Sequence, residues 1–471
     1  MPRVLFVLLA MLLGAGAIRA PSLALAAALA LAFLALAARK LAIALAIFVA
    51  LTFFDRTTAL QSLGLTTPVK LVGGVIALAW LLISLGRAVP FRQLVTDQRA
   101  FALTGLGFVG WSFASALWAQ ASSEAVSSTV RLALGVSLLF IVYSVLMERR
   151  HLWWFLSAFI VGSVFAVILG SFGAYAASAS VNDARLSGGF DDPNELAAVL
   201  VPALVFSSFA FLALRGRWLR WAFALVLPIA GVALLRTDSQ AGLLALALAL
   251  ILSVVFGGHV RRLAVVVVGS VVALGTIYYT VVTEPVAFQT IGSQGNVGSR
   301  ETLWAVGLDV VADHPVAGVG AGNFTVVEPS YTLEDINLPR ADLVLRPELV
   351  HNTYLQVFAE LGAIGLALFF AIIVASLWFG VRAVRRFEAS GNRELGLLAR
   401  SAVIGTASML LAYFFATNQY EKQLWLLLAL GPAFHAVALR MEAGAVSEPI
   451  PSSFEEPARL VPAVVPSRVE L

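Results

Sequence analysis

HNTYLQVFAELGAIGL, residues 351–366, is the stretch from which the fold can be read. It closes the longest interval without a membrane-spanning run, Thr283–Leu366, and it opens an apolar segment that continues to Trp378. A helix from about Pro347 to Trp378 would hold 32 residues. At 1.5 Å per residue it would be about 48 Å long, more than the ~30 Å of hydrocarbon requires, so its first turns should project from the membrane. Asn352, Gln356 and Glu360 follow at i, i+4 and i+8 and form a polar stripe beside His351. Such a stripe entering a membrane helix faces a cavity or other protein.

Upstream of His351, the 68 residues Thr283–Val350 separate two strongly apolar segments, while the other connections are of hairpin length. A loop this long is functional or disordered. This one carries Trp304, Phe324 and Tyr331, a helical stripe of Leu303, Gly307 and Val310 widened by Trp304 and Val311, and the turn GVGAGNF at 318–324. We expect a helix from about Arg300, capped by Ser299 and lying at the membrane interface. GVGAGNF follows no strand and precedes no Lys-Ser or Lys-Thr, so it reads as a tight turn rather than a phosphate cradle. His314, before Pro315, reads as a local hydrogen-bonding residue.

The rest of the chain is membrane-like. Of its 471 residues 60% are hydrophobic and 12% charged, with mean hydropathy +0.92, against about 25% charged in a soluble domain. Fourteen apolar runs are long enough to cross or nearly cross a bilayer: Val4–Ile18, Pro21–Ala38, Leu41–Phe54, Val69–Leu85, Phe101–Trp118, Ser128–Met147, Leu152–Tyr175, Asn194–Leu214, Trp218–Leu235, Gly242–Phe256, Leu263–Val282, Leu355–Trp378, Leu398–Ala416 and Leu424–Leu439. Several are short, so the fold expected is an all-α integral membrane protein of about 12–14 transmembrane helices with a large outer loop. Its parts are residues 1–282 (first membrane helices), 283–350 (outer loop with an amphipathic helix), 351–440 (last membrane helices) and 441–471 (a Pro-, Ser- and Glu-rich disordered tail). The basic, apolar N-terminus resembles a signal peptide, but Pro21 after Ala20 disfavours cleavage and it is read as a first span.

Arginine sets the orientation. With the N-terminus inside, the inner connections and ends hold 21 of the 31 Lys and Arg, and both termini are cytoplasmic. The basic residues form no aromatic-interleaved face, so nucleic acid is not expected. With no cysteine there is no disulfide, thiolate metal site or thiol nucleophile.

The outward cations carry the functional expectation, because the orientation bias should have removed them. Arg185 lies in RLSGGFDDPNELA, where Asp192, Pro193 and Glu195 read as a helix start. Arg236 opens RTDSQAGLLAL, with Asp238 as an available partner and Asp238 or Ser239 as a cap. Arg300 opens the loop helix. Guanidinium groups hold phosphate oxygens bidentately, so Arg185, Arg236 and Arg300 are expected to bind a pyrophosphate. His351 is the candidate base, supported by Asn352, Gln356 and Glu360, and no metal or other cofactor is expected.

RLSGGFDDPNELA, GSRETLWAVGLDVVADHPVAGVGAGNF and HNTYLQVFAELGAIGL, in that order around the outer loop, together resemble the O-antigen ligase and O-antigen polymerase superfamily. That resemblance implies a GT-C-like glycosyltransferase at the outer face of the bacterial inner membrane. The implied donor is a glycan on undecaprenyl pyrophosphate. The acceptor is lipid A–core for a ligase, the slightly preferred case, or another glycan repeat for a polymerase. The family's outward arginines and loop-end histidine fall on Arg185, Arg300 and His351. Where relatives carry Ser-Arg-Gly, this chain has Ser239-Gln240-Ala241, and Arg236 is the candidate substitute. A lipid-linked oligosaccharide flippase is the rival of another class; a transporter would place its charges at mid-span.

Overall fold

The structure is a computed structural model that describes residues 21–54, 68–87, 97–173, 185–190, 192–256, 294–334 and 348–444. The expected spans Val4–Ile18 and Leu263–Val282, and nearly all of the tail, lie outside the described residues. The described chain folds into fifteen α-helices. They are α1 (Pro21–Arg39), α2 (Leu41–Leu51), α3 (Pro68–Arg87), α4 (Arg99–Ala114), α5 (Ser122–Val145), α6 (Arg149–Ser171), α7 (Pro193–Ala213) and α8 (Arg220–Arg236). After these come α9 (Gln240–Phe256), α10 (Gln294–Asp313), α11 (Phe324–Glu334), α12 (Thr353–Ala389), α13 (Arg393–Ala412), α14 (Lys422–Leu428) and α15 (Leu430–Glu442).

All twelve of the apolar runs that fall within the described residues are helical. Among those residues seven helices are long and apolar enough to cross a membrane, with four shorter apolar helices beside them. The chain is an all-α integral membrane protein. α7 is its most enclosed early helix and packs on α13, α8 and α9; α12 packs on α13, α15 and α4. Lipid is as apolar as leucine, so close backbone approach rather than burial from water drives such packing. Small residues mark the contacts: a Cβ on Gly162 would stand 2.8 Å from the Ala50 carbonyl, and Ser376 Oγ donates to the Leu428 carbonyl (2.6 Å).

One end of the bundle is rich in arginine. Arg149 bonds Glu394 with both Nε (2.8 Å) and Nη2 (2.5 Å), tying α6 to α13, and Trp153 Nε1 joins at 2.7 Å. Arg386 pairs with Glu442, and Arg400 with Glu388. The other end carries α10 and α11, whose Val306, Val310 and Phe324 form a separate small core with Val350, just before α12, and Ala359 of α12.

The long helix expected from Pro347 needs two corrections. It starts at Thr353, after an Asn352 cap, and it breaks at Gly362 (φ 66°, ψ −170°). The break frees carbonyls before it and N–H groups after it, and the glycine segment satisfies both. Val319 and Gly320 N–H groups donate to the Ala359 and Glu360 carbonyls (3.0 and 2.8 Å), while Ala363 N–H donates to the Pro315 carbonyl (2.9 Å). A Cβ on Gly318 would stand 2.4 Å from Glu360 backbone, and one on Gly362 would stand 2.1 Å from Val316 O. GVGAGNF is thus the splint of a broken helix. Trp111 and Trp118 hold it from the other side, donating to the Leu361 and Gly318 carbonyls (2.8 and 3.0 Å).

Candidate functional site

The site is assembled from three helix starts and one helix end. α7 begins as its local sequence dictates: Asp192 Oδ1 accepts from the Asn194 N–H (2.8 Å), with Pro193 at the first position. Glu195 has a further neighbour. In the orientation that satisfies both atoms of its amide, Asn418 donates to Glu195 Oε1 (2.9 Å). Asn194 Oδ1 accepts from Ser239 Oγ (2.6 Å), and Ser239 Oγ accepts from the Gly242 N–H (3.0 Å), so Ser239 caps α9.

The turn between α8 and α9 is gripped by Arg185. Its Nε donates to the Thr237 carbonyl (2.8 Å) and its Nη2 to the Asp238 carbonyl (3.2 Å), while the Leu186 N–H reaches the Arg236 carbonyl (3.0 Å). Cations near a helix C-terminus satisfy carbonyls that the helix leaves open. Asp238 sits at φ 47° within this turn. Arg236 is exposed and reaches Ser171 Oγ at 3.4 Å. Arg185 and Arg236 therefore share one turn, with Arg185 spending two donors on its backbone.

His351 occupies the junction. It has φ 56°, a left-handed conformation outside glycine's usual territory, and Asn352 caps α12 immediately after it, accepting from the Tyr354 and Leu355 N–H groups (3.0 and 3.1 Å). The strained residue is turned out of the helix rather than being its first member, the sort of backbone outlier that clusters at functional sites. Its imidazole is one-third exposed, with Nε2 4.0 Å from Glu348. Burial holds its pKa below the ordinary 6.5; Asp192 and Glu348 oppose this, and Arg300 reinforces it. The imidazole is thus neutral at pH 7, with Asp192, Arg300 and Glu348 all close enough to act on its charge.

Arg300 lies on α10, which starts at Gln294, six residues before the expected position, so Ser299 is inside the helix and is not its cap. The predicted stripe holds: Leu303 and Val310 are fully buried, and Gly307 meets Leu355 and Val350. α10 is consequently pinned against the start of α12, which brings Arg300 to His351. Among the described residues Arg300 has no carboxylate partner. His314 is exposed, and its carbonyl accepts from the Gly318 N–H (3.1 Å).

The polar stripe of α12 is buried and internally spent. Gln356 Oε1 accepts from the Val350 N–H (3.0 Å), and its Nε2 donates to Glu360 Oε1 (2.5 Å). Glu360 Oε2 accepts from Tyr420 Oη (3.1 Å), and the Gly322 N–H also donates to this carboxylate. The stripe thus builds the support under His351 and the glycine segment. Arg131, at the same end of the bundle, pairs with Glu124 (2.6 Å) and lies 4.7 Å over the Tyr420 ring.

Sequence reasoning missed three contributors. Asp192 acts on His351 from 159 positions upstream, which no local signal discloses. Glu348 does so from three residues away; its signal was the i, i+3 spacing to His351. The third is the connection Ala416–Gln423, whose Ala416 carbonyl and Asn418 N–H both bond Thr353 Oγ1 (2.6 and 2.9 Å). Its cue was a polar run, ATNQYEKQ, between two spans. Among the described residues no group of three acidic or His side chains is placed to hold a metal ion.

Residues 223–370 match the family described as O-antigen ligase. The matched segment runs from within α8 to the middle of α12, so it contains Arg236, Arg300, the glycine splint and His351; Arg185 precedes it. No curated protein matches the chain. Over these 148 of its 471 residues the chain is similar to the O-antigen ligase family.

Proposed function

We propose that this protein transfers a glycan from undecaprenyl pyrophosphate to an acceptor hydroxyl at the outer face of the bacterial inner membrane, with both termini cytoplasmic. Lipid A–core is the preferred acceptor, which makes it a ligase; a polymerase would pass the glycan to another repeat. The observation that carries this reading is His351, turned out of its helix, neutral, and set beside Arg300, which has no carboxylate partner among the described residues. The acceptor oxygen attacks the anomeric carbon as the bond from that carbon to the pyrophosphate oxygen breaks. His351 takes the hydroxyl proton. Arg300 and the Arg185–Arg236 turn neutralise the charge gathering on the departing lipid pyrophosphate. Such a leaving group needs no strong acid and, with arginines in place, no metal.

The flippase alternative gains little. It requires charge at mid-span, whereas Arg300, Arg236 and His351 all sit at one end of the bundle.

The test is His351→Ala, with turnover and donor binding measured side by side on purified enzyme. Loss of a base used in the transition state lowers kcat by about 10²–10⁴-fold and leaves donor affinity near wild type. Weakened donor binding with intact turnover of bound donor would make His351 a binding residue instead.

A further inference from the structure

The connection between α13 and α14 holds polar groups that the fold does not use. Gln419 is 1% exposed, yet neither its Nε2 nor its Oε1 has a hydrogen-bond partner among the described residues. Two residues earlier Thr417 Oγ1 is in the same condition, and Gln423 Oε1 repeats it at the start of α14. Buried amides and hydroxyls are ordinarily paired, because an unmade bond forfeits the group's hydration. Three such side chains within the eight residues Ala416–Gln423 are a concentration that packing does not explain.

The segment's position gives these groups a context. Through Thr353 it is bonded to the first turn of the helix that His351 precedes. Asn418 reaches Glu195 on α7, the helix whose cap, Asp192, acts on the His351 charge. Tyr420 reaches Glu360. The segment thus touches both helices that present the site, at the same end of the bundle.

Its chemistry narrows the ligand. A phosphate calls for cations, but the unpartnered groups of this segment carry no charge; its one cation is Lys422, and the neighbouring Arg131 is matched to Glu124. Thr417, Gln419 and Gln423 are neutral, and each offers both roles or an acceptor. Such groups match sugar hydroxyls and acetamido groups, which both donate and accept.

We propose that the Ala416–Gln423 segment is the sugar-reading subsite of this protein, with the Gln419 amide and the Thr417 hydroxyl taking hydrogen bonds from a glycan. This rests on the glycosyl-transfer reading above.

The experiment uses full-length enzyme in detergent, undecaprenyl pyrophosphate bearing the glycan as donor, and bare undecaprenyl pyrophosphate as competitor. Gln419→Met and Thr417→Val keep side-chain volume and remove the polar atoms. In each, KM for one sugar-bearing substrate is expected to rise about tenfold, the cost of one hydrogen bond. kcat changes little, inhibition by bare undecaprenyl pyrophosphate is unchanged, and the melting temperature holds or rises. Whether the donor or the acceptor KM moves tells which glycan is read. Unchanged KM values for both substrates overturn the subsite, as does a parallel loss of inhibition by the bare lipid. Should Gln419→Met melt early, Thr417→Val decides alone. Absence of transfer by the wild-type enzyme defeats the transfer reading itself. Transfer that Arg300→Ala abolishes, while Gln419→Met keeps both KM values, removes only the subsite.

Discussion

Where α12 ends, Arg149 grips Glu394 with two nitrogens, Arg386 meets Glu442 and Arg400 meets Glu388. Where α12 begins, Arg300 stands near His351 with no carboxylate partner among the described residues, and Arg236 reaches only a serine hydroxyl at 3.4 Å. The two ends differ in backbone as well. His351 and Asp238, the two non-glycine residues with positive φ among those described, are both at the start end. A neutralised guanidinium is a fastener. One left without a counter-charge keeps its field unspent, which is what the proposed pyrophosphate contact requires. Arg131 sharpens the contrast, since it lies at the start end but is matched to Glu124 and stacked on Tyr420, and so belongs with the fasteners.

The largest effect that tests this contrast comes from Arg300→Ala. Removing one preorganised charge from the leaving pyrophosphate should lower kcat/KM by about 10²–10³-fold. Donor affinity should weaken with it, because the pyrophosphate is charged before and during transfer. Arg300→Lys should restore part of the loss, keeping charge but not the bidentate fork. If Arg300→Ala leaves both constants within about twofold of wild type, the absence of a partner has no functional meaning and the contrast between the ends collapses.

Backbone gives the next effect. Gly362 has φ 66° and ψ −170°, a region essentially reserved for glycine, and a Cβ there would stand 2.1 Å from the Val316 carbonyl oxygen. Gly391, at the opposite end, has φ 71° but nothing within 4 Å of its Cβ position. Gly391→Ala should cost about 1–2 kcal/mol, the intrinsic price of a left-handed residue. Gly362→Ala should cost about 2–5 kcal/mol, strain plus overpacking, and should loosen the segment that supports His351. Thermal melts of the two variants measure this. Equal melting temperatures would mean that the splint is not rigid.

Much of this was legible in the sequence, and the rest has a common physical cause. Helices, their apolar faces and the α7 start are written in local order: hydrophobic period, Asp192 before Pro193, the Leu303–Val310 stripe. The Gly362 break is not local. LQVFAELGAIGL scans as one helix, and what opens it is a segment some forty residues earlier that offers hydrogen bonds in exchange. The Ser299 cap failed because a cap signal cannot say whether helix continues upstream, and here it does, to Gln294. The arginines expected to bind pyrophosphate were singled out because they break a rule, the inward bias of arginine. What differs between them, Arg185 holding a turn and Arg300 without a carboxylate partner among the described residues, depends on groups far away in sequence.

A smaller effect follows from His351. Burial lowers its pKa below 6.5 against the pull of Asp192 and Glu348. The base works as neutral imidazole, so kcat/KM should be flat at pH 7 and fall about tenfold per unit once pH drops through the folded-state pKa, which lies under 6.5. Because the unfolded chain takes up this proton first, His351's contribution to stability is lost as pH falls from 6.5 to the folded-state pKa, just above the limb in the rate. Removing the favourable charge with Asp192→Asn should move the limb to still lower pH. A limb centred above 6.5, or one that Asp192→Asn leaves in place, would mean that another group is titrating.

The smallest expected effect is the control at the far end. Arg386 and Glu442 are part-exposed, with side chains 32% and 41% accessible. Exposed pairs of this kind contribute about 0–1 kcal/mol, because water already solvates both ions and ordering two long side chains offsets the attraction. Arg386→Ala should therefore shift the melting temperature slightly and leave kcat/KM within about twofold. The comparison with Arg300→Ala removes the same group from each end of the bundle, so loss of charge as such is held constant. If Arg386→Ala lowers transfer as far as Arg300→Ala does while the fold stays intact, the effect of either arginine is a global one, on topology or insertion. Arg300 would then lose its claim to the pyrophosphate.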